Sequence, residues 1–242
     1  ERGIGLADGF LTEYIVEEER YLVPVPEQLA DVGVLIEPQS IVEKAITAIH
    51  AHNARTGHRP RTALVLGAGP LGVLAALTLR LLGLATDVYS MEERDRQGPQ
   101  LVAEAGCGYH QAGAAGPLDG LGKTWDIIME CTGASRLALD SIGLLSYNGI
   151  LTIIGVPAPA EPFPVPAAQL LRRVMAGNLS IAGIVNSSRN DFEQAIARLT
   201  RMRTQYPNAI ERIVTDIYPL EAVPELDFAR VSLKAAVRVA GR

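Results

Sequence analysis

The stretch that most constrains this chain is LVLGAGPLG, Leu64 to Gly72. An apolar run from Ala63 to Leu66 ends in Gly67, Gly69 and Gly72, and an apolar segment of helical character follows. A second strand-like run, Asp87 to Met91, ends at Glu92 and Glu93, about twenty residues past the last glycine. Strand, glycines, helix, strand and terminal acid in this order lay out a dinucleotide-binding βαβ unit. Gly67 allows the tight turn, Gly69 lets the backbone approach a pyrophosphate, and Gly72 lets the helix pack closely on the strand. Pro70 has no N–H, so the helix's first free N–H groups begin at Leu71 and point at the phosphates. Glycines also serve plain turns, and it is the ordered context that favours the nucleotide reading.

From Arg61 onwards apolar strands alternate with helical patterns. Strands are predicted at 62–66, 86–90, 126–131, 150–155 and 179–185, and helices at 71–82, 98–105, 135–145 and 167–176. This alternation predicts an α/β fold of the Rossmann type, a doubly wound parallel sheet with helices on both faces. The near-continuous apolar character of the runs suits buried parallel strands. The flanks lack this rhythm. Phe10–Val16 and Arg20–Val25 read as strands, Pro38 to Asn53 as a long helix, and ARTGHRPR as a polar linker. After Val185 come a helix over 191–205 and short strands near 212–217 and 235–239. The Pro-rich VPAPAEPFPVPAA reads as a loop after a strand. Both flanking pieces are too short to bury a core alone, so they are expected to join each other or residues before Glu1.

Composition narrows the function. With 242 residues, 48% hydrophobic and 20% charged, the chain has the make-up of a globular protein. A net charge of −5 argues against general binding to nucleic acid or anionic membrane. The most apolar stretch, Leu71 to Leu84, is interrupted by Arg80 and reads as a buried helix rather than a membrane span. Cys107 and Cys131 are the only cysteines and neither sits in a CxxC. A disulfide framework and a cysteine-rich zinc site are therefore unsupported, and a reducing, cytoplasmic setting is expected. Cys131 reads as a small buried hydrophobe rather than a nucleophile. His50, His52, His58 and His110 read as surface or linker residues. No signal peptide is visible, and the absence of an initiating Met sets the expectation of a processed or truncated chain.

Six pieces, the glycine motif among them, carry a family resemblance: ERGI…DGF…TEY (1–14), LIEPQSIVEKA (35–45), VLGAGPLGVL (65–74), DIIMECTGA (126–134), LTIIGVP (151–157) and GIVNS (183–187). The chain resembles the zinc-dependent medium-chain alcohol dehydrogenases, and within them the archaeal-type glucose 1-dehydrogenases. The EP.S..EKA and G.VN pieces are characteristic of the glucose subgroup, whereas GAGPLG alone is not. The resemblance implies a chain that starts late. Most of a GroES-like β catalytic domain, with the Cys, His and acid that hold zinc, would lie upstream of Glu1. Residues 1–45 would then be the end of that domain with a linking helix, 46–186 the NAD(P)-binding domain, and 187–242 a segment returning to the catalytic domain.

Site residues follow from the same resemblance. Glu37 would be the last acid of the zinc site, binding the metal directly or through a water. From spacing alone it reads rather as an N-terminal helix acid favoured by the dipole, and it is the surrounding motif that turns the reading to the zinc site. Glu1 would contact sugar hydroxyls, and Asn186 the sugar and the nicotinamide end of the coenzyme. Asn followed by two serines is also an ordinary turn. Coenzyme contacts would fall on Gly67, Ala68, Gly69, Pro70, Leu71 and Gly72, on Thr132 and Gly133 beside the nicotinamide-side ribose, on Ile154, Gly155 and Val156 beside the carboxamide, and on Ile184, Val185 and Asn186. Gly155 is expected to leave room for the ring. Glu92 and Glu93 favour NAD, because a carboxylate there takes both ribose hydroxyls and repels a 2′-phosphate. Arg94 and Arg96 keep NADP open.

The implied reaction is hydride transfer from a sugar or polyol CH–OH to NAD(P)+, C1 of D-glucose giving the lactone. The family implies a homo-oligomer, dimer or tetramer, with the Leu179–Val185 run near the interface. The alternatives are another polyol or threonine-type dehydrogenase, or a non-catalytic NAD-binding module if the chain is complete. The chain by itself is expected to bind NAD and to turn over little or no sugar.

Overall fold

The computed structural model describes residues 8–157, 159 and 161–239. Glu1 lies outside them, so its expected contact with sugar has no structural counterpart here.

Chain order follows the expected alternation. Helix α1 (Ile36–Thr56) leads into β1 (Thr62–Leu66), α2 (Pro70–Leu81), β2 (Ala85–Ser90), α3 (Gln97–Glu104) and β3 (Gly108–Gln111). The second half comprises β4 (Trp125–Glu130), α4 (Ser135–Ser141), β5 (Leu145–Ile153), α5 (Ala167–Ala176) and β6 (Ser180–Gly183). Helix α6 (Arg189–Gln205) and strands β7 (Val214–Pro219) and β8 (Lys234–Arg238) close the chain. Strands β1–β6 pair in the order β3-β2-β1-β4-β5-β6, all parallel. The strand order reverses between β1 and β4, which creates a crevice at their carboxyl ends.

The central strands are buried on both faces, and their side chains divide by alternation. Ala63 and Val65 pack into the cluster under α1, α2, α3 and α6, while Leu64 and Leu66 pack into the cluster under α4 and α5. On β4, Trp125 and Ile127 would share a face in a regular strand, yet they enter opposite clusters. The register of β4 on β5 shifts between those residues, and that irregularity turns Trp125 over.

Several expectations need correcting. Among the described residues, neither Phe10–Val16 nor Arg20–Val25 forms a strand; the segment is extended with a single 3-10 turn at Glu19–Tyr21. Its apolar side chains have no ladder to join, and Phe10, Leu11, Tyr14, Ile15 and Val16 stay exposed. Strand β3, GYHQ, has no apolar run to reveal it and exists through edge pairing with β2. The expected helix over 135–145 gives way to a 3-10 turn at Ile142. Helix α1 runs unbroken through residues 45 and 46.

Helix α6, expected in the segment returning to the catalytic domain, packs on α1 and contributes Ala195, Leu199 and Met202 to the sheet's own core. A buried ion pair ties these helices together. Arg198 donates Nε and Nη2 to the Glu43 carboxylate at 2.8 and 3.1 Å, and Gln39 Nε2 reaches both Glu43 and Thr78 Oγ1. The N-terminal segment also lies along α6. Arg203 pairs with Asp31, and Arg189 Nη1 donates to the carbonyls of Arg20 and Leu22.

His50 is exposed and His58 lies in the loop before β1, as expected, but His52 is not a surface residue. His52 is 5% exposed, its Nε2 lying 2.8 Å from the Asn148 carbonyl oxygen. His58 pairs with Asp126 and His110 with Asp87. Burial opposes the charge on Asp126, but the N–H groups of Arg61 and Thr62, with His58 and the Thr62 hydroxyl, outweigh it and hold the carboxyl below its usual range. Asp87 is likewise opposed by burial and held low by Lys123, Trp125 and His110.

Candidate functional site

The glycine turn sits at the carboxyl end of β1. Gly67 has φ +105°, a conformation that side-chain-bearing residues rarely adopt, and its N–H donates to the Tyr89 carbonyl at 2.8 Å. Gly72 is required by packing, since a Cβ there would collide with the Gly67 carbonyl oxygen. Gly69 differs. It is the N-cap of α2, its φ of −71° suits any residue, and a Cβ built on it meets nothing within 4 Å. No side chain caps α2. Its leading N–H groups, from Leu71 on, therefore face an open space over Gly69, and the helix dipole favours an anion there. The residues present fit a pyrophosphate.

Gly98 escaped sequence reasoning. A Cβ on it would collide with the Ala68 carbonyl, so α3 is pressed directly against the glycine turn. The sequence signal was a glycine in the first turn of a helix, where glycine is otherwise unfavourable.

The acids after β2 lie where the ribose hydroxyls of a dinucleotide fall. Glu92 and Glu93 are exposed. The loop they belong to is fixed from below, because the Tyr109 hydroxyl donates to the Glu92 carbonyl and Glu92 N donates to Ser90 Oγ at 3.3 Å. Arg94 donates to the Tyr109 carbonyl oxygen at 2.9 Å and lies over the Tyr109 ring. Arg96 lies 3.9 Å from the Glu92 carboxylate.

A cleft of about 1230 Å³ opens beside the glycine turn. It gathers Glu37, Pro70, Leu71, Ile154, Val156, Ile184, Val185 and Asn186 from four separate segments of chain. The volume exceeds the roughly 300–1,000 Å³ of most small-molecule pockets. Thr132, which is exposed, and Gly133, which is buried, follow the carboxyl end of β4. The Thr132 methyl lies against Gly67, and Gly133, at φ +72°, sits under the Val156 carbonyl. A Cβ on Gly155 would collide with Gly133 N and lie 2.9 Å from Thr132 N, so the glycine lets the chain after β5 approach the chain after β4 closely.

Asn186 adopts φ +58°, which Asn tolerates better than most residues. Its loop is anchored to α1. Lys44 Nζ donates to the Val185 carbonyl at 2.9 Å, and Ser187 Oγ lies 2.8 Å from Ser40 Oγ. Glu37 is exposed in the first turn of α1, with Pro38 beside it. Lys234 also lines the cleft and had no motif to announce it. Among the described residues no group of three or more His, Cys, Asp or Glu could hold a metal ion. Glu37 stands alone in this respect, and these residues do not by themselves make a zinc site.

Neither thiol is set up as a nucleophile. Burial pushes Cys107 up to about 12 and Cys131 well above its ordinary value, the latter raised further by the neighbouring Glu130 charge.

A doubly wound sheet with an open glycine turn at its topological switch point defines a module of the dinucleotide-binding Rossmann class. The model of the family described as glucose dehydrogenase C-terminus matches residues 30–238. The chain belongs to that family. It is 36% identical over 228 residues to glucose 1-dehydrogenase of Methanocella arvoryzae, covering 93% of this chain and 63% of the relative. It is 34% identical over 226 residues to that of Thermoproteus tenax, covering 93% and 64%. Among solved structures, Haloferax mediterranei glucose dehydrogenase in complex with NADP, Zn and gluconolactone superposes with a TM-score of 0.91 at 29% identity, covering 100% of this chain and 68% of that one. The chain thus spans under two thirds of the length of the first two. No described helix is long and apolar enough to cross a membrane.

Proposed function

We propose that this chain is the coenzyme-binding part of an enzyme that oxidises a sugar or polyol CH–OH, foremost C1 of D-glucose, to the lactone with hydride transfer to NAD(P)+. The observation that carries this reading is the open space over Gly69 beneath the uncapped start of α2, at one end of a cleft holding Glu37 and Asn186. The nicotinamide coenzyme supplies the hydride acceptor. This chain's residues supply binding and orientation. Main-chain N–H groups from Leu71 hold the pyrophosphate, and Glu92 or Glu93 takes the adenosine ribose hydroxyls. Ile154 and Val156 flank the carboxamide, and Thr132 and Gly133 border the nicotinamide-side ribose. Asn186 and Glu37 offer polar groups to the sugar hydroxyls, and Lys234 adds a cation to the cleft lining. Toward a metal ion, Glu37 offers a single carboxylate, and among the described residues no group of three or more His, Cys, Asp or Glu accompanies it.

Three further parts of the reading concern coenzyme choice, assembly and setting. Glu92 and Glu93 favour NAD, and Arg94, engaged at Tyr109, does not offset them. A homodimer through the β6 edge is supported by the exposed Ile181 on that strand and by α5, which buries no residue and exposes Leu171 and Met175. A cytoplasmic setting accords with two free thiols.

Titration calorimetry with NAD+ and NADP+, followed by a panel of aldoses, polyols and amino alcohols on the full-length enzyme, tests the proposal. Tighter NAD+ binding and turnover of an aldose support it. Absence of activity with every aldose removes the glucose assignment.

A further inference from the structure

Glu130 is the last residue of β4, and its register partner across the sheet is Leu66, immediately before the glycine turn. It is 1% exposed. Its Oε1 accepts hydrogen bonds from Thr132 N at 2.5 Å, from Gly133 N at 3.0 Å and from the Thr132 hydroxyl. Every one of these partners is a neutral donor. Among the described residues no Lys, Arg or His pairs with it, in contrast to the buried Glu43, which Arg198 neutralises. Carboxylates this deeply buried are ordinarily paired with a cation.

Its place in the fold points to the missing cation. Strand β4 opens the second half of the doubly wound sheet, the half that takes the second mononucleotide of a bound dinucleotide. In a nicotinamide dinucleotide with its adenosine side at β2, that second mononucleotide carries the nicotinamide. Glu130 Oε2 lies 2.8 Å from where a Cβ on Gly155 would stand, and Gly155 sits between Ile154 and Val156 in the cleft wall. The carboxylate is therefore directly behind that wall. An oxidised nicotinamide ring is a pyridinium cation, whereas the reduced ring is neutral. A fixed negative charge in a poorly solvated wall distinguishes the two.

We propose that Glu130 is a specificity-determining residue for the redox state of the coenzyme: its buried, uncompensated carboxylate favours the oxidised, cationic nicotinamide over the reduced one. This rests on the coenzyme-binding reading above. Sugar oxidation needs the oxidised form bound and the reduced form released, and both are served by the same charge.

The test is a pair of variants in this chain, titrated with NAD+, NADH and ADP-ribose, the last lacking the nicotinamide. E130Q keeps an acceptor for the Thr132–Gly133 loop and removes the charge. It is expected to raise the ratio of the NAD+ and NADH dissociation constants by about tenfold, with ADP-ribose affinity unchanged. E130D keeps the charge and shortens the reach, so both nicotinamide affinities fall together and the ratio stays near that of the parent. A ratio unmoved in E130Q, or one that shifts equally in both variants, overturns the proposal and leaves Glu130 as a loop anchor only. If melting curves show E130Q unfolded, E130D alone decides, and a ratio that moves as far as the affinities is the refuting result. Failure of the parent chain to bind ADP-ribose would instead strike at the underlying coenzyme reading.

Discussion

Gly69 and Gly72 occupy one motif but answer to different forces, so replacing each with Ala separates binding from folding. At Gly69 the backbone is extended, with φ −71° and ψ −178°, and the added methyl meets nothing within 4 Å. Gly→Ala at a compatible position reduces unfolded-state entropy and stabilises by about 0.4–1 kcal/mol. G69A is therefore expected to melt at or slightly above the parent temperature. The same methyl stands where the pyrophosphate must approach. Displacing that group breaks at least one charge-assisted hydrogen bond, about 1.5–3 kcal/mol or roughly 10- to 150-fold in Kd. At Gly72 the methyl collides with the Gly67 carbonyl, and α2 must move off the turn. Such overpacking costs about 1–3 kcal/mol, which for a chain of this size lowers Tm by roughly 2–12 °C. Differential scanning fluorimetry and calorimetry with ADP-ribose read both quantities on the same samples. G69A that binds ADP-ribose like the parent would refute the assignment of the space over Gly69. G72A with an unchanged Tm would refute the close approach of helix to turn.

Other perturbations address the frame around the site. Asp126 is held below its ordinary value of 3.8, so its contribution is fully present above that pH and is lost as pH falls through the folded-state value. D126N should be about 1–3 kcal/mol less stable than the parent in urea melts at pH 7, with the gap closing below pH 3.8. Removing one partner of the buried Glu43–Arg198 pair leaves an uncompensated charge. E43Q should lose about 3–5 kcal/mol of stability, while the apolar double variant E43L/R198M should recover most of it; equal losses in both would contradict the burial argument. Cys107 and Cys131, both raised by burial, should react with a thiol reagent at pH 8 only after denaturant is added; rapid labelling of the folded chain would contradict this.

The sheet was legible because its strands are buried on both faces, and burial writes itself as apolar runs. Strand β1 matches its predicted span, Thr62–Leu66, residue for residue. Strand β3 was invisible because GYHQ carries no such signature and depends on β2 for its conformation. The opposite error arose at Phe10–Val16, where strand-like composition met no partner strand. Within the site, glycines announced themselves through spacing, but the force behind each did not. Gly155 answers to a close approach of backbones and Gly98 to the pressure of α3 on Ala68, both long-range contacts that a linear pattern does not encode. Glu130 went unread for the same reason. In DIIMECTGA it looks like the polar end of a strand, and only the fold shows that it is buried beneath the cleft wall. The cleft itself joins segments from Phe10 to Lys234, and Glu17, Tyr21, Phe192 and Lys234 belong to no motif.

The central claim is that main-chain amides at the start of α2 hold a dinucleotide's pyrophosphate. A crystal structure of this chain grown with ADP-ribose tests it most directly. The expected result is a phosphate oxygen within hydrogen-bond distance of Leu71 N, directly over Gly69. Saturating ADP-ribose with that space empty, or the ligand bound elsewhere on the sheet, would contradict it.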